Sequence, residues 1–447
     1  MHAFNVSPYN YLQPITHTLQ SIMKSIPNDC ILIPTQKGAL LISPSYGVYC
    51  AIFPDEIESI KPCMHPQETD ETQELSQDLI DRLEKHGFFD EPRPFQHESP
   101  LLQFQVTNAC TLHCIYCAVK SGKARPNEIT LNDVKRVIDE ATEIYPNIRI
   151  SFTGGEPLLV PWIFEAIDYA KQHSKYSVGL LSNLLLLKDN DDLFDKIVQF
   201  VHQGHQLRMS ISAIDKEACN RLSGKDCYDD AIDIIKRLDK ANALPHLDIP
   251  LSAPDSNANV KAYPQFRRSV PIDDKLLFAK MYIGGRENGK HVFDSSDDEE
   301  QMLDDLVFEG GTCIETLKSA PVTERKKGCL CNDDEYLCVR SDGEVYSCFR
   351  LMHKIGHISE GIQTIVERRR NTAQITDIEP CCSCPFRYLC AAGCQTDRMI
   401  FQESHQEDFC GPWRKQLVAE MLFEDKPYFY DWPMRYLISE AQKRGLE

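Results

Sequence analysis

The stretch LLQFQVTNACTLHCIYC, residues 101–117, decides how this sequence is interpreted. It begins with a short apolar run that is typical of a buried strand and then brings three cysteines together, Cys110, Cys114 and Cys117. A structural zinc site almost always uses four ligands, so His113 would have to turn back onto the same metal. An iron-sulfur cluster that only transfers electrons also takes four cysteines. Three thiolates therefore predict a metal centre with one coordination position left for another molecule, and an incomplete zinc knuckle is the alternative.

Length, charge and cysteine content limit the class of protein. The chain has 447 residues, too many for one ordinary domain. A net charge of -19 argues against nonspecific binding to nucleic acid or anionic lipid, since both favour clustered Lys and Arg. No apolar run reaches the length of about 18 residues that a membrane span needs, and the N-terminus resembles no signal peptide, so we expect a cytoplasmic protein. In that reducing compartment, 19 cysteines indicate metal or redox chemistry.

From residue 100 to about 310, strand patterns alternate with helical patterns. The helical segment LNDVKRVIDEATEIY, for example, places Val134, Ile138 and Ala141 on one stripe. Six such repeats predict a parallel α/β domain, open or barrel-like, in which chemistry gathers at the carboxyl ends of the strands. The strand candidates are LLQFQVTN, IRISFTGG, SVGLLSN, LRMSISAI, LDIPLSA and KLLFAKMYI. The cysteines follow the first of these strands, which places them at that end.

Residues 1–93 differ in pattern and predict a separate N-terminal module. Two short strand candidates, CILIPT and ALLISP, are joined by a QKG turn, and the amphipathic helix LSQDLIDRLEKHGFF follows with Gly87 as its C-cap. This order predicts a small winged-helix-like module. The helix carries Asp78, Asp81 and Glu84, which makes DNA an improbable ligand.

The spacing Cys-x3-Cys-x2-Cys, with Tyr116 before the last cysteine, resembles the radical S-adenosylmethionine (SAM) family. That resemblance implies a partial (β/α)6 TIM-type barrel and a [4Fe-4S] cluster whose open iron binds SAM. TGGEP, residues 153–157, is similar to the motif that holds the SAM amino group in this family. By the same resemblance, the residues expected to contact SAM are Tyr116, Gly154, Gly155, Glu156, Ser182, Asn183, Ser210, Ser212 and Arg221, with Asp215 as a further candidate.

The C-terminal region, residues 311–447, resembles the SPASM extension of radical SAM enzymes. The segment CCSCPFRYLCAAGC and the spacing Gly343-x4-Cys348, which closes a hairpin around SDGE, carry that resemblance. It implies two auxiliary [4Fe-4S] clusters, and a pair of zinc ribbons is the alternative. The implied ligands of one cluster are Cys329, Cys331, Cys348 and Cys394, with Cys313 or Cys338 as possible replacements. Those of the other are Cys381, Cys384, Cys390 and Cys410.

Enzymes with this extension mostly modify peptides or proteins, and the N-terminal module resembles the precursor-recognition domains of such enzymes. The resemblance implies a peptide maturase that cleaves SAM to a 5'-deoxyadenosyl radical, abstracts hydrogen from a ribosomally made precursor peptide and forms a crosslink. A formylglycine-forming protein oxidase and a zinc-stapled scaffold without catalysis are the alternatives. The expected partners are the precursor peptide and an electron donor such as flavodoxin or ferredoxin. No general base is identifiable from the sequence.

Overall fold

The structure is a computed structural model. It describes residues 26–64, 75–92, 99–251, 256–270, 276–280, 335–349, 354–372, 375–390, 410–425 and 440–446. Four predicted or alternative cluster ligands lie outside these ranges, and their assignment stays a prediction: Cys313, Cys329, Cys331 and Cys394. No helix among the described residues is both long enough and apolar enough to cross a membrane.

The N-terminal part is a three-stranded antiparallel sheet followed by two helices. Its elements are β1 (Ile31–Thr35), β2 (Gly38–Ser43), β3 (Val48–Ile52), α1 (Ile57–Met64) and α2 (Gln77–Lys85). The two predicted strands and the helix are confirmed, and Gly87 follows α2 with a φ of +80° as expected of a C-cap. Strand β3 was not among the predicted strands. The winged-helix comparison stays a prediction.

All six strands predicted from residue 101 onward are confirmed. They pair in parallel and in sequence order, which is the arrangement that strand-helix repeats produce. The strands are β4 (Leu101–Gln105), β5 (Arg149–Thr153), β6 (Gly179–Ser182), β7 (Gln206–Ser210), β8 (His246–Leu251) and β9 (Leu276–Lys280). The intervening helices are α3 (Leu131–Ile144), α4 (Ile163–His173), α5 (Asp191–His202), α6 (Lys216–Ser223), α7 (Tyr228–Lys240) and α8 (Ser256–Ser269).

The helices cover one face of this sheet, and the two faces differ in polarity. Phe104 and Phe152 stack with ring centroids 5.6 Å apart inside the core that α3 and α4 close. In register with them, the intervening residues Gln103 and Ser151 face the other side. The face that carries Gln103 and Ser151 is therefore the more polar one, and α3 and α4 pack on the opposite face.

Three further strands extend the sheet on the β4 side. They are β10 (Tyr336–Val339), β11 (Glu344–Tyr346) and β12 (Lys354–His357), and α9 (Ile362–Arg370) follows. Strand β10 pairs in parallel with β4, so the hairpin predicted around SDGE is part of the nine-stranded barrel sheet. Gly343 has a φ of +79° in this turn. Two further helices are α10 (Arg387–Cys390) and α11 (Pro412–Phe423).

Candidate active site

The segment that carries Cys110, Cys114 and Cys117 is a loop closed at its base. The amide of Cys110 donates to the carbonyl of Gly122 at 3.0 Å, and the amide of Gly122 donates to the carbonyl of Asn108 at 2.8 Å. The loop therefore leaves β4 and returns to the same point, so all three cysteines lie at the carboxyl end of the first barrel strand, as predicted.

The thiols lie where backbone amides point at sulfur. The amide of Leu112 lies 3.5 Å from Cys110 Sγ, and that of Ser121 lies 3.3 Å from Cys117 Sγ. Burial raises the pKa of the Cys114 thiol to about 11, so a positively charged metal is needed to hold it as a thiolate at neutral pH. No three metal-ligating side chains among the described residues are arranged to hold a single metal ion. The donor atoms nevertheless fit an iron-sulfur cluster, because all three are cysteine sulfurs and backbone amides are directed at two of them.

Helix α6 holds the loop from the other side. The amides of His113 and Ile115 donate to the carbonyls of Ser223 and Leu222 at 3.0 and 2.9 Å. Gly224 ends this helix with a φ of +67°, and a Cβ there would lie 2.9 Å from the carbonyl oxygen of His113. The sharp end of α6 therefore permits a close contact that a side chain would block.

Tyr116 connects the loop to the segment after β7. Its hydroxyl lies 2.8 Å from Ser212 Oγ, and it also interacts with the Cys114 side chain. Burial raises the pKa of the Tyr116 hydroxyl well above its usual value, so the phenol stays protonated at neutral pH. The structure thus brings together Tyr116 and Ser212, which the sequence analysis assigned separately to SAM binding.

Backbone packing constrains the two glycines of TGGEP. A Cβ on Gly154 would lie 2.7 Å from the carbonyl oxygen of Thr107, and one on Gly155 would lie 2.2 Å from that of Ala109. The amides of Gly155 and Glu156 donate to these same two carbonyls, each at 2.7 Å. The stem of the cysteine loop therefore leaves no room for a side chain at either glycine, and their expected contact with SAM stays a prediction.

Glu156 is completely buried, and protein groups surround its carboxylate. It accepts hydrogen bonds from Ser182 Oγ at 2.7 Å, the amide of Leu158 at 3.0 Å and the amide of Asn183 at 3.0 Å. Burial raises the pKa of this carboxyl group. Glu156 therefore fixes the end of β6 against the end of β5, and its expected contact with the SAM ammonium group stays a prediction.

The remaining predicted SAM contacts fall into two groups. Asn183 reaches the cysteine loop, because its Nδ2 donates to Thr111 Oγ1 at 3.2 Å. Asp215 instead caps α6 by accepting the amide of Ala218 at 2.8 Å, and Arg221 is exposed on that helix. Five of the predicted residues therefore lie around the cysteine loop: Tyr116, Glu156, Ser182, Asn183 and Ser212. Ser210 is the last residue of β7.

Glu128 was not predicted, yet its carboxylate contacts the stem of the cysteine loop. Its carboxylate accepts Thr107 Oγ1 at 2.7 Å, the amide of Asn108 at 2.7 Å and the amide of Arg125 at 2.9 Å. The neighbouring amide of Ile129 donates to the carbonyl of Ser341 at 2.7 Å, so this segment also joins the loop to the β10–β11 hairpin. Glu128 stands in RPNEIT without any recognisable motif, so no sequence signal identifies it.

The described C-terminal cysteines occupy two places. Cys348 follows β11 and is buried beside Cys338, Tyr336 and Tyr346. Cys338 lies within β10, where burial raises the pKa of its thiol to about 12. Cys384, Cys390 and Cys410 lie together at the edge of a second hydrophobic core, and Cys381 is near them in the chain.

The sequence of residues 104–250 matches the model of the radical SAM superfamily. Residues 104–250 are a radical SAM domain. Mycofactocin maturase MftC of Mycolicibacterium smegmatis is 24% identical over 319 residues, which cover 67% of this chain and 79% of that protein. GTP 3',8-cyclase of Chlorobaculum tepidum is 28% identical over 152 residues, 34% of this chain and 43% of the cyclase.

A solved structure, native anSMEcpe with bound AdoMet and Kp18Cys peptide, shares the fold. It aligns over 77% of this chain and 99% of its own length, with a TM-score of 0.51 and 17% identity. At this identity the similarity concerns the fold alone. The predicted resemblance to the radical SAM family is thus confirmed, and the α/β core with its parallel sheet is the fold of that family.

Proposed function

We propose that this protein is a radical SAM maturase that modifies a ribosomally made precursor peptide. The supporting observation is the extent of the similarity. The alignment with a protein named as a maturase covers 319 residues, far beyond residues 104–250, whereas the alignment with the GTP cyclase covers only 152 residues. Part of the chain outside the radical SAM domain is therefore also similar to a protein named as a maturase.

In this proposal Cys110, Cys114 and Cys117 hold a [4Fe-4S] cluster whose fourth position takes SAM. When bound, the cluster and SAM together would supply a 5'-deoxyadenosyl radical able to abstract hydrogen from the peptide. The chain's own part is positioning. Glu156 fixes the β5 and β6 ends, Asn183 contacts the loop through Thr111, and Tyr116 ties it to the segment after β7.

We propose that the peptide binds on the polar face of the sheet. There Nη2 of Arg208, on β7, lies 2.7 and 2.8 Å from the two carboxylate oxygens of Asp248, on β8. On the β4 side, Tyr336 donates to Gln103 Oε1 at 2.6 Å. A few polar groups of this kind can fix the orientation of a bound ligand.

We propose further that the leader of the precursor adds as a strand to β3 rather than to β1. Thr35 and Gly38 flank a two-residue turn, so Pro34 and Leu32 direct their backbone groups away from β2. Pro34 has no N–H to donate, and its carbonyl already accepts Gln416 Nε2 at 2.8 Å. By the same alternation the backbone of Ala51 points outward from β3 and keeps its N–H, although its carbonyl accepts Arg82 Nη2 at 3.5 Å. Strand addition needs such main-chain donors.

The activity is tested by mixing anaerobic holoenzyme, SAM, a strong reductant and candidate precursor peptides. The expected products are 5'-deoxyadenosine and a peptide that has lost two hydrogen atoms per crosslink. A Cys-x-Pro-x-Arg peptide converted to formylglycine would instead support the protein-oxidase alternative. SAM cleavage that no peptide stimulates would contradict peptide maturation.

Leader docking is tested with two matched proline substitutions. Ala51→Pro removes an outward N–H from β3, whereas Leu32→Pro changes the corresponding outward position of β1. The loss of one backbone hydrogen bond worth about 1.4 kcal/mol weakens binding about tenfold. We therefore expect about tenfold weaker leader binding for Ala51→Pro and unchanged binding for Leu32→Pro. Fluorescence anisotropy with a labelled leader measures it, and circular dichroism checks folding. Equal effects of both substitutions would contradict docking on β3.

A further inference from the structure

The N-terminal sheet contributes side chains to two separate hydrophobic cores. One face, with Leu41, Cys50 and Ile52, packs on α1 and α2. The opposite face, with Leu40, Ile42 and Tyr49, packs on α11 near the other end of the chain. A three-stranded sheet with both faces apolar cannot bury itself with its own two helices, so α11 is a structural part of the module.

The second core also contains the segments that carry the C-terminal cysteines. Phe386 and Leu389, from the stretch between Cys381 and Cys390, are buried in it, and α11 begins two residues after Cys410. Cys384, Cys390 and Cys410 pack against this core. One hydrophobic cluster therefore joins the predicted ligands of the second auxiliary cluster to the N-terminal sheet.

Polar contacts fix α11 in one register on the sheet. Glu420 is 2% exposed, and its Oε1 accepts the turn amide of Gln36 at 2.7 Å and Gln416 Nε2 at 3.0 Å. The same Gln416 nitrogen donates to the carbonyl of Pro34. A shift of α11 along the sheet would leave a buried carboxylate and a turn amide without partners, which is costly. Sheet and helix must therefore move together.

The cysteine segment has little secondary structure to hold it in place. Helix α10 has four residues, too few to be stable alone, and Cys381–Cys384 is a turn. An all-cysteine site that binds metal only when folded stabilises the elements that carry its ligands. The radical SAM loop packs instead on the separate barrel core, which contains none of the N-terminal strands.

We propose that the metal cluster at Cys381, Cys384, Cys390 and Cys410 controls the order of the N-terminal sheet by holding α10 and α11 against it. If this sheet binds the leader, as the proposed function requires, leader affinity then depends on the second auxiliary cluster and not on the SAM cluster. Because coupling is reciprocal, perturbing the sheet contact must also loosen the cluster.

Hydrogen exchange tests this without any peptide, so its failure is distinct from a failure of the proposed function. Full-length anaerobic protein is compared as wild type, the double variant Cys384→Ala/Cys390→Ala, and the control Cys114→Ala/Cys117→Ala. We expect amide exchange over residues 31–52 to accelerate at least about fivefold in the first variant and not in the control. No acceleration, or equal acceleration in both, would overturn the proposal.

A second pair of variants leaves all cysteines intact. Leu417→Ala opens the contact between α11 and the sheet, whereas Val137→Ala makes a comparable cavity in the barrel core; both side chains are fully buried. We expect iron release from the C-terminal cluster to a chelator to be at least about fivefold faster in Leu417→Ala than in Val137→Ala. Equal rates of release would overturn the coupling even if the cysteine variants fail to fold.

Discussion

The two cysteine-bearing regions are built in opposite ways. The loop with Cys110, Cys114 and Cys117 is tied by backbone hydrogen bonds to the β5 end, to α6 and to its own base. The segment from Cys381 to Cys390 has turn and short-helix hydrogen bonds within itself, and its side chains pack on α11 and the N-terminal sheet. The first site is thus shaped by backbone hydrogen bonds to the barrel, whereas the second is held by side-chain packing on distant elements.

The largest expected difference between the two cysteine-bearing regions is in SAM cleavage. We expect Cys114→Ala to abolish 5'-deoxyadenosine formation, because a cluster needs its third thiolate, while the melting temperature changes little since the barrel core remains. Chromatography of the nucleoside product and thermal unfolding measure the two quantities. The control is Cys382→Ala, whose thiol contacts Glu379 and is outside the predicted ligand set. If Cys382→Ala also lost SAM cleavage, the ligand assignment would be wrong.

The second effect is on stability at the C-terminal region. Leu422 is 1% exposed in the core between α11 and the sheet, so Leu422→Ala should destabilise that unit by about 2–5 kcal/mol. Denaturant unfolding followed by hydrogen exchange over residues 31–52 measures it. Ile31→Ala is the control, because Ile31 is 40% exposed in the same sheet. A similar cost for both variants would show that α11 does not support the sheet.

A smaller effect is expected at the stem of the radical SAM loop. Glu128→Gln weakens three hydrogen bonds to a carboxylate and should cost about 1–3 kcal/mol locally. The loop should then lose iron faster on anaerobic gel filtration, with the C-terminal cluster unaffected. Glu165→Gln, which removes only an exposed pair with Lys135, is the matched control. Unchanged iron retention in Glu128→Gln would mean that the backbone contacts suffice.

The smallest effect concerns the cap of α3, directly after that stem. Partial burial opposes ionisation of Asp133, but hydrogen bonds from Thr130 lower the pKa of its carboxyl group below the usual value. A lowered pKa stabilises the fold above about pH 4 and loses that contribution as pH falls through the folded-state value. Thr130→Ala should cost about 1 kcal/mol at neutral pH and less near pH 3. Urea unfolding at both pH values measures the difference, and a pH-independent cost would contradict this origin.

The sequence predicted the elements of the barrel well but not all contacts of the site. Periodicity placed all six strands and α3, since a buried stripe and a short apolar run leave a direct trace in the sequence. It did not predict Glu128 or the pair of Arg208 with Asp248, because isolated polar residues acquire partners only when distant strands meet. The glycines of TGGEP were predicted, but their close contact with the backbone of Thr107 and Ala109 is a tertiary feature that no local pattern encodes.

By itself the sequence predicted the radical SAM domain, because three cysteines at a fixed spacing after a strand resemble the motif of that family. Only the tertiary structure decided that β10–β12 continue the barrel sheet and that α11 covers the N-terminal strands. The reason is the separation along the chain between the residues that interact. Cysteine spacing acts within eight residues, whereas the contact of Gln36 with Glu420 spans 384 positions and is encoded in no local pattern.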